Sequence, residues 1–268
     1  MRNVKFIINF VLFISFIFLF ACNKETASSS PDQNVSYDST HISITNASPV
    51  VSNLILYLNN QKTLLLDSPF SYGETTYSSH INYGNELAPV TIETPYINIP
   101  SGYQQLSFGM SSENISTSFS NYFQPGGSYS IFITDTINHG QLQCILLQDN
   151  FAKADTTKGQ IRFLNLSSDV PPLDIWAFPN AGQNGFRVFS DCSYLGTDFN
   201  SVVKSESFSS LPAGPYYFVA AVAGTAEVLL EGGLIIRKQS INTIYTKGFV
   251  SGTNEKTLGI GVISYNQY

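Results

Sequence analysis

Few side chains in this sequence have the types and the spacing that metal chemistry needs. The chain has three histidines, His41, His80 and His139. None of them has a second histidine, a cysteine or a carboxylate at the spacing of metal ligands. We therefore expect surface histidines and no metal or other cofactor.

Two carboxylates, Asp169 and Asp174, are close enough in sequence to be considered for general acid–base catalysis. Asp174 alternates with Leu173 and Ile175, which predicts a solvent-facing side chain, and Asp169 lies in a loop-like segment. The sequence also lacks a nucleophile elbow, a zinc-protease helix and a phosphate-binding glycine loop. We predict that the protein is not an enzyme.

Cys22 is a candidate for covalent lipidation. Arg2 and Lys5 form a positive head, and residues 6–20 are almost entirely apolar. Such a run is too short to cross a bilayer as a helix, and with its basic head it is typical of a secretory signal peptide. The ending Leu-Phe-Ala-Cys at 19–22 resembles the lipobox of bacterial lipoproteins, in which the cysteine is acylated and becomes the new N-terminus.

The lipobox resemblance implies a lipoprotein signal peptide at 1–22 and an exported protein anchored to a membrane by palmitate-type acyl chains. By analogy with other Gram-negative lipoproteins, Asn23 favours the outer membrane, on either its periplasmic or its surface face. Residues 23–40 are polar and predict a flexible tether. The alternative is an uncleaved anchor in which the cysteine is incidental.

Tyr57 and Trp176, the only tryptophan, are the candidate binding aromatics. Successive side chains of a strand point to opposite faces, so inward positions for Leu56 and Ile175 predict that both rings face outward. Exposed aromatic rings stack on sugars or anchor protein partners. The alternatives are a contact between domains, or a shift of one residue that buries Trp176.

Charge and cysteine content exclude further classes of protein. Removal of the predicted signal peptide leaves 11 basic and 19 acidic residues, a formal charge of −8. This balance argues against nucleic acid, which is bound by clustered lysine and arginine. Cys144 and Cys192 remain besides Cys22, and we expect unpaired thiols, with a disulfide between them as the alternative.

Tyr57 and Trp176 lie in sequence segments that are repeated along the chain. Three segments match later segments in the same order: 42–58 matches the segment from 161, 99–108 matches 211–220, and 126–135 roughly matches 238–247. Short runs with period-two alternation surround these segments and predict strands. Pro100-Ser101-Gly102 and Pro212-Ala213-Gly214 predict turns at hairpins or sheet-to-sheet corners.

This order of a strand, an "NASP" loop, a second strand, a Pro-x-Gly turn and a strand opened by Gly-Ser-Tyr resembles the bacterial DUF4397 family. The resemblance implies an all-β fold of two tandem immunoglobulin-like β-sandwich domains in an envelope lipoprotein. We place the domains at 41–152 and 159–268, with a linker at 153–158. The family has no established catalytic residues, so the resemblance implies none here.

These observations predict a non-catalytic, lipid-anchored cell-envelope protein with a structural or protein-binding role. The alternative is a glycan-binding surface lipoprotein that serves nutrient uptake. The expected partners are the membrane, through the lipid anchor, and an envelope protein or a glycan. A line of outward aromatic residues would favour the glycan, and scattered aromatic residues would favour the structural role.

Overall fold

The computed structural model describes residues 39–51, 54–62, 96–111, 114–135, 141–151, 155–179, 184–196 and 207–265. The predicted signal peptide and most of the tether lie outside these ranges, as do His80 and His139. Within the described residues no helix is long and apolar enough to cross a membrane.

Alternating apolar and polar residues form short strands, separated by glycine-, proline- and asparagine-rich turns. The first half of the described chain contains β1 Ser39–Asn46, β2 Ile55–Leu58, β3 Gln61–Lys62, β4 Ile97–Pro100, β5 Gly102–Ser111, β6 Asn114–Phe123, β7 Ser128–Asp135 and β8 Leu142–Gln148. The second half contains β9 Lys158–Leu164, β10 Leu173–Phe178, β11 Phe186–Cys192, β12 Ser209–Pro212, β13 Gly214–Val222, β14 Val228–Ile236, β15 Ile241–Lys247 and β16 Gly259–Tyr265.

The strands form four sheets of four strands each, and the second pair of sheets repeats the order of the first. Central sheet 1 has the order β4-β1-β7-β8 and outer sheet 1 the order β3-β2-β5-β6. Central sheet 2 has the order β12-β9-β15-β16 and outer sheet 2 the order β11-β10-β13-β14. In both halves the first strand runs parallel to the seventh, and the other paired strands are antiparallel. The predicted internal repeat is therefore present in the topology.

The predicted all-β sandwich architecture is confirmed, and its strand order can be specified. The first strand of each half pairs with the fourth and the seventh. In an antibody constant domain the first strand instead pairs with the second. The chain here crosses from the central to the outer sheet between its first and second strands, so these two strands face each other across the core.

Each sandwich encloses a core made by the inward half of the period-two pattern. In the first, Ile42 and Ile44 of central sheet 1 pack with Leu56 and Phe108 of outer sheet 1. In the second, Ile161 and Phe163 of central sheet 2 pack with residues of outer sheet 2 such as Ile175. Cys144 packs against the core of the first sandwich and Cys192 against the core of the second.

A third core lies between the two central sheets. From the first sandwich it contains Ala47, Phe132, Ile145 and Leu147, and from the second Leu164, Leu166, Leu195, Ile241, Tyr245, Ile263 and Tyr265. The order of layers is therefore outer sheet 1, central sheet 1, central sheet 2, outer sheet 2. The described chain from 39 to 265 forms one compact unit. The domain boundaries at 152 and 159 stay a prediction.

The first Pro-x-Gly segment makes a corner between sheets, one of its two predicted settings. Pro100 ends β4 in central sheet 1, and Gly102 begins β5 in outer sheet 1. Gly102 has φ +91°, in the left-handed region that side chains with a Cβ disfavour. The chain therefore changes sheets within three residues.

Candidate functional site

Tyr57 and Trp176 occupy equivalent positions on the outer faces of the two outer sheets. Tyr57 lies on β2 and pairs with Ser107, and Trp176 lies on β10 and pairs with Val219. Their neighbours Leu56 and Ile175 belong to the two sandwich cores. The predicted alternation is confirmed for both strands, and the shift of one residue that would bury Trp176 does not occur.

The two rings differ in exposure. Trp176 is half-buried, whereas only 5% of Tyr57 is exposed. The expectation that Tyr57 is an exposed ring was wrong, because alternation fixes the direction of a side chain and not what covers it. Trp176 is not part of the core between the central sheets. The contact between sandwiches therefore does not account for its position.

Three aromatic residues on outer sheet 2, Trp176, Phe178 and Tyr217, form what we call the aromatic platform. Phe178 of β10 is directly opposite Tyr217 of β13, and Trp176 is diagonal to Tyr217. Such pairs have Cβ atoms about 5 Å and about 7–8 Å apart. Tyr217 is 45% exposed, and the other two rings are half-buried. A Cβ on Gly185 would overlap the ring of Phe178, so glycine there permits this position.

Arg187 of the neighbouring β11 borders the platform. Its guanidinium carbon lies 6.0 Å from the centre of the Trp176 ring, at the outer limit of a cation–π contact. Its Nη1 donates to Asp174 Oδ2 at 3.0 Å. The side chain of Arg187 is therefore held between the tryptophan and a carboxylate.

Asp174 is buried, with 5% exposure, which corrects the prediction that it faces solvent. It points to the outer face, as the alternation predicted, but it is covered by groups that bind it. Besides Arg187, it accepts hydrogen bonds from the backbone N–H of Asp191 at 3.0 Å and of Gly224 at 3.3 Å. Burial raises its pKa, but these hydrogen bonds together outweigh burial and hold the pKa below its usual value. Asp174 is thus an ionised structural carboxylate.

Asp169, the other carboxylate considered for catalysis, also binds backbone. It accepts hydrogen bonds from the N–H of Val250 at 3.0 Å and of Ser251 at 3.1 Å. These bonds fasten the loop between β15 and β16. Each aspartate therefore holds a different loop in place. No group of three histidines, cysteines or acids that could hold a metal occurs among the residues that the structure describes.

Polar groups beside the platform could bind hydroxyl groups of a ligand. Glu231 of β14 is exposed and accepts a hydrogen bond from the Tyr217 hydroxyl. The guanidinium of Arg187 keeps donors beyond the one that it gives to Asp174. A flat aromatic surface with donors and acceptors at its edge can stack on a ring and bind that ring's substituents.

Trp176 was predicted from the sequence, whereas Phe178, Tyr217 and Arg187 were not. Phe178 could have been found, because it is two residues after Trp176 and so on the same face. Tyr217 could also have been found, since Tyr216 and Phe218 beside it point into the core. No sequence pattern indicated Arg187, because it lies in the segment where the similarity between the two repeats is weakest. Cys22, the predicted lipidation site, lies outside the described residues.

Comparison with solved structures gives weak matches. One is to the structure described as alpha-glucan binding by a streptococcal virulence factor, with 7% identity, a TM-score of 0.23, and coverage of 75% of this chain and 92% of that chain. Another is to family 41 carbohydrate-binding modules from streptococcal virulence factors, with 11% identity, a TM-score of 0.22 and the same coverage. Scores this low do not establish a common fold.

No curated protein matches the sequence. A family model described as a domain of unknown function, DUF4397, matches residues 40–176, just over half of the chain. The match includes the whole first sandwich and continues through β9 into β10. The chain therefore belongs to the DUF4397 family.

Proposed function

We propose that this chain is a non-catalytic, lipid-anchored envelope protein that binds glycans through the aromatic platform of outer sheet 2. The observation that carries the proposal is the alignment of Trp176, Phe178 and Tyr217 on one outer face. Scattered rings would have favoured a structural role. Adjacent rings offer a continuous surface on which successive sugars can stack.

The chemistry of the platform suits a saccharide. The apolar face of a sugar ring packs on an aromatic face, and its hydroxyl groups need donors and acceptors at the edge of that contact. Arg187 and Glu231 supply such groups beside the rings. We expect dissociation constants near the millimolar end of the scale for a single short oligosaccharide.

A non-catalytic role is supported by the state of the two candidate carboxylates. Asp174 is ionised and engaged by three donors, and Asp169 binds two backbone N–H groups. The pKa of Asp174 is lowered, whereas a general acid would need a raised one. Asp169 is engaged in holding the loop between β15 and β16. The platform then binds its ligand without acting on it.

Lipid anchorage at Cys22 is proposed from the sequence. The basic head, the short apolar run and the Leu-Phe-Ala-Cys ending support a lipoprotein, and two or more acyl chains anchor a protein stably. Labelling of cells with an alkyne fatty acid would test this part. We expect label on the wild-type protein and none on Cys22→Ser. Label on both would contradict acylation at this residue.

A protein partner is the second candidate for the same face. Ile235 of β14 is 55% exposed, and its register partner Pro215 is also exposed. Apolar residues at the margin of an aromatic surface are typical of protein interfaces. Capture of an envelope protein that depends on both Ile235 and Trp176 would favour this candidate.

Because the chain has one tryptophan, its fluorescence reports directly on the platform. We would titrate the protein with soluble neutral oligosaccharides found by a glycan array and follow the Trp176 emission. Tyr217→Ala should weaken binding at least tenfold while it leaves the reporter in place. Val250→Ala removes a similarly exposed apolar side chain from the loop between β15 and β16, outside outer sheet 2, and should bind as wild type. Array binding that Trp176→Ala and Tyr217→Ala both leave unchanged would contradict the proposal.

A further inference from the structure

Outer sheet 1 carries a second aromatic feature, which the sequence analysis did not single out. Tyr103 on β5 and Tyr122 on β6 are directly opposite each other, and we call them the tyrosine pair. They are 81% and 44% exposed, the first more than any other large apolar side chain described. Their ring centres are 5.1 Å apart at 71°, an edge-to-face contact. The rings therefore support one another while they remain open to solvent.

The two strands that carry the tyrosine pair offer hydrogen-bonding groups and no charged side chain. The twenty residues of β5 and β6 include no lysine, arginine, aspartate or glutamate. Ser118 and Ser120 are exposed on the same face, and Gln105 is half-buried beside them. The backbone N–H of Gln105 is held by the Asn59 side chain at 2.9 Å. The paired strands β5 and β6 thus present a neutral polar surface, and Lys62 on β3, two strands from β5, is the charged residue among the described strands of outer sheet 1.

This composition selects one class of ligand. Nucleic acid also stacks on aromatic rings, but it needs cations that β5 and β6 do not provide. A protein interface needs an apolar centre, and Leu106 and Phe108 of this sheet point into the core instead. Tyrosine with serine, glutamine and asparagine binds by stacking and by neutral hydrogen bonds. We propose that the tyrosine pair anchors a second site, specific for neutral polysaccharide.

The two sites face in opposite directions. The tyrosine pair lies on the outer face of outer sheet 1, and the aromatic platform lies on the outer face of outer sheet 2. Both central sheets lie between them. Sheets pack about 10 Å apart, so three intervals separate the sites by about 30 Å. A short oligosaccharide cannot contact both faces, so a protein with both sites occupied links two separate stretches of polysaccharide. This bridging rests on the proposed function of the platform, whereas the second site does not.

Variants of each site separate the two claims. The purified protein would be sedimented with insoluble neutral polysaccharides (cellulose, mannan and chitin), with polygalacturonate as the anionic probe. Tyr103→Ala/Tyr122→Ala and Trp176→Ala/Tyr217→Ala should each lower the bound fraction severalfold on a neutral polymer, and the quadruple variant should lose binding. Tyr103→Phe/Tyr122→Phe keeps the rings and should retain most binding. Circular dichroism and the thermal midpoint would verify that each variant is folded.

Bridging of two polysaccharide chains is tested by a separate bead assay. Beads coated with the bound polysaccharide should clump with the wild-type protein and stay dispersed with either double variant. Wild-type behaviour of Tyr103→Ala/Tyr122→Ala in both assays overturns the second site, and so does preference for polygalacturonate or failure of every neutral polymer to bind. If Trp176→Ala/Tyr217→Ala leaves polysaccharide binding unchanged while Tyr103→Ala/Tyr122→Ala lowers it, the result supports the site at the tyrosine pair and contradicts the site at the platform.

Discussion

Arg162 and Asp149 form an ion pair across the contact between the two sandwiches, with Nη1 2.7 Å from Oδ1 and both side chains fully buried. Arg162 also donates to Thr243 at 2.7 Å and to Ser130 at 3.0 Å. Asp149 accepts from Tyr96 and Ser130, each at 2.7 Å. The pair therefore joins β9 of the second sandwich to the end of β8 of the first.

Arg162→Met should destabilise the protein by about 3–5 kcal/mol, because it leaves the Asp149 carboxylate buried without its cation. The double variant Arg162→Met/Asp149→Leu should recover most of this loss, since it removes both charges. Denaturant unfolding measures the free energies. Lys158→Ala breaks an exposed 3.8 Å pair with Asp155 and should leave the free energy of unfolding nearly unchanged, because solvent screens exposed ion pairs. A cost for Arg162→Met no larger than this control would contradict the role of the pair.

Lys247 should make stability increase with pH in the alkaline range. It is 5% exposed, and burial lowers its pKa to about 8 from 10.5. Between these values the unfolded chain binds a proton that the folded protein does not, so the free energy of unfolding rises with pH, by about 3 kcal/mol in total. Above pH 10, Tyr96 should make the free energy of unfolding fall with pH, because burial raises the pKa of its hydroxyl in the folded protein.

The measurement is urea unfolding at half-unit steps from pH 7.5 to 10. Lys247→Met should remove most of the rise, and Lys256→Met, which replaces an exposed lysine, should keep it. Parallel profiles for the wild type and Lys247→Met would exclude this lysine as the cause.

Asp174→Asn should destabilise the protein by about 1–3 kcal/mol at pH 7, because the aspartate carboxylate accepts from Arg187 and from two backbone N–H groups. The folded pKa of Asp174 is lowered. Its contribution is therefore complete above the unfolded pKa of about 3.9 and is lost as the pH falls through the folded value. The difference in the free energy of unfolding between wild type and Asp174→Asn should therefore disappear at acidic pH. A difference between wild type and Asp174→Asn that stays constant into acid would contradict this role of Asp174.

The Cys144 thiol should be unreactive in the folded protein. Burial raises its pKa to about 12, against a hydrogen bond with Thr117 that lowers it, and a thiol reacts as its thiolate. The test is thiol labelling at pH 8 of a Cys22→Ser/Cys192→Ser variant, in which Cys144 is the only thiol. Labelling should require denaturant. Rapid labelling without it would show that the thiol is accessible and ionised.

The strands and the direction of Trp176 could be predicted because both depend on local period-two alternation, and the duplication because three segments recur in the same order. The contact between sandwiches could not, although Ile131, Phe132 and Ile133 form a continuous apolar run, a pattern that indicates burial on both faces. Arg162 alternates with apolar neighbours like any surface residue of a sandwich. Arg162 is buried because central sheet 1 packs against central sheet 2, the sheet to which Arg162 belongs.

The exposure of individual residues was the least predictable feature. Tyr57 and Asp174 both point outward as alternation requires, and both are covered. For Asp174 the cover includes Arg187, which belongs to a segment of weak sequence similarity between the repeats. The direction of a side chain is set locally by its strand, whereas its burial depends on residues that are distant in sequence.

The central sheets, buried on both faces, make the two sandwiches dependent on each other. A chain cut between them would expose Phe132, Ile145 and Leu147 on one fragment and Tyr245 and Ile263 on the other. Each fragment would then present a sheet face suited to aggregation. Although the sequence is duplicated, we expect a half-length version of this protein to aggregate, because the apolar face of its central sheet would lack its cover.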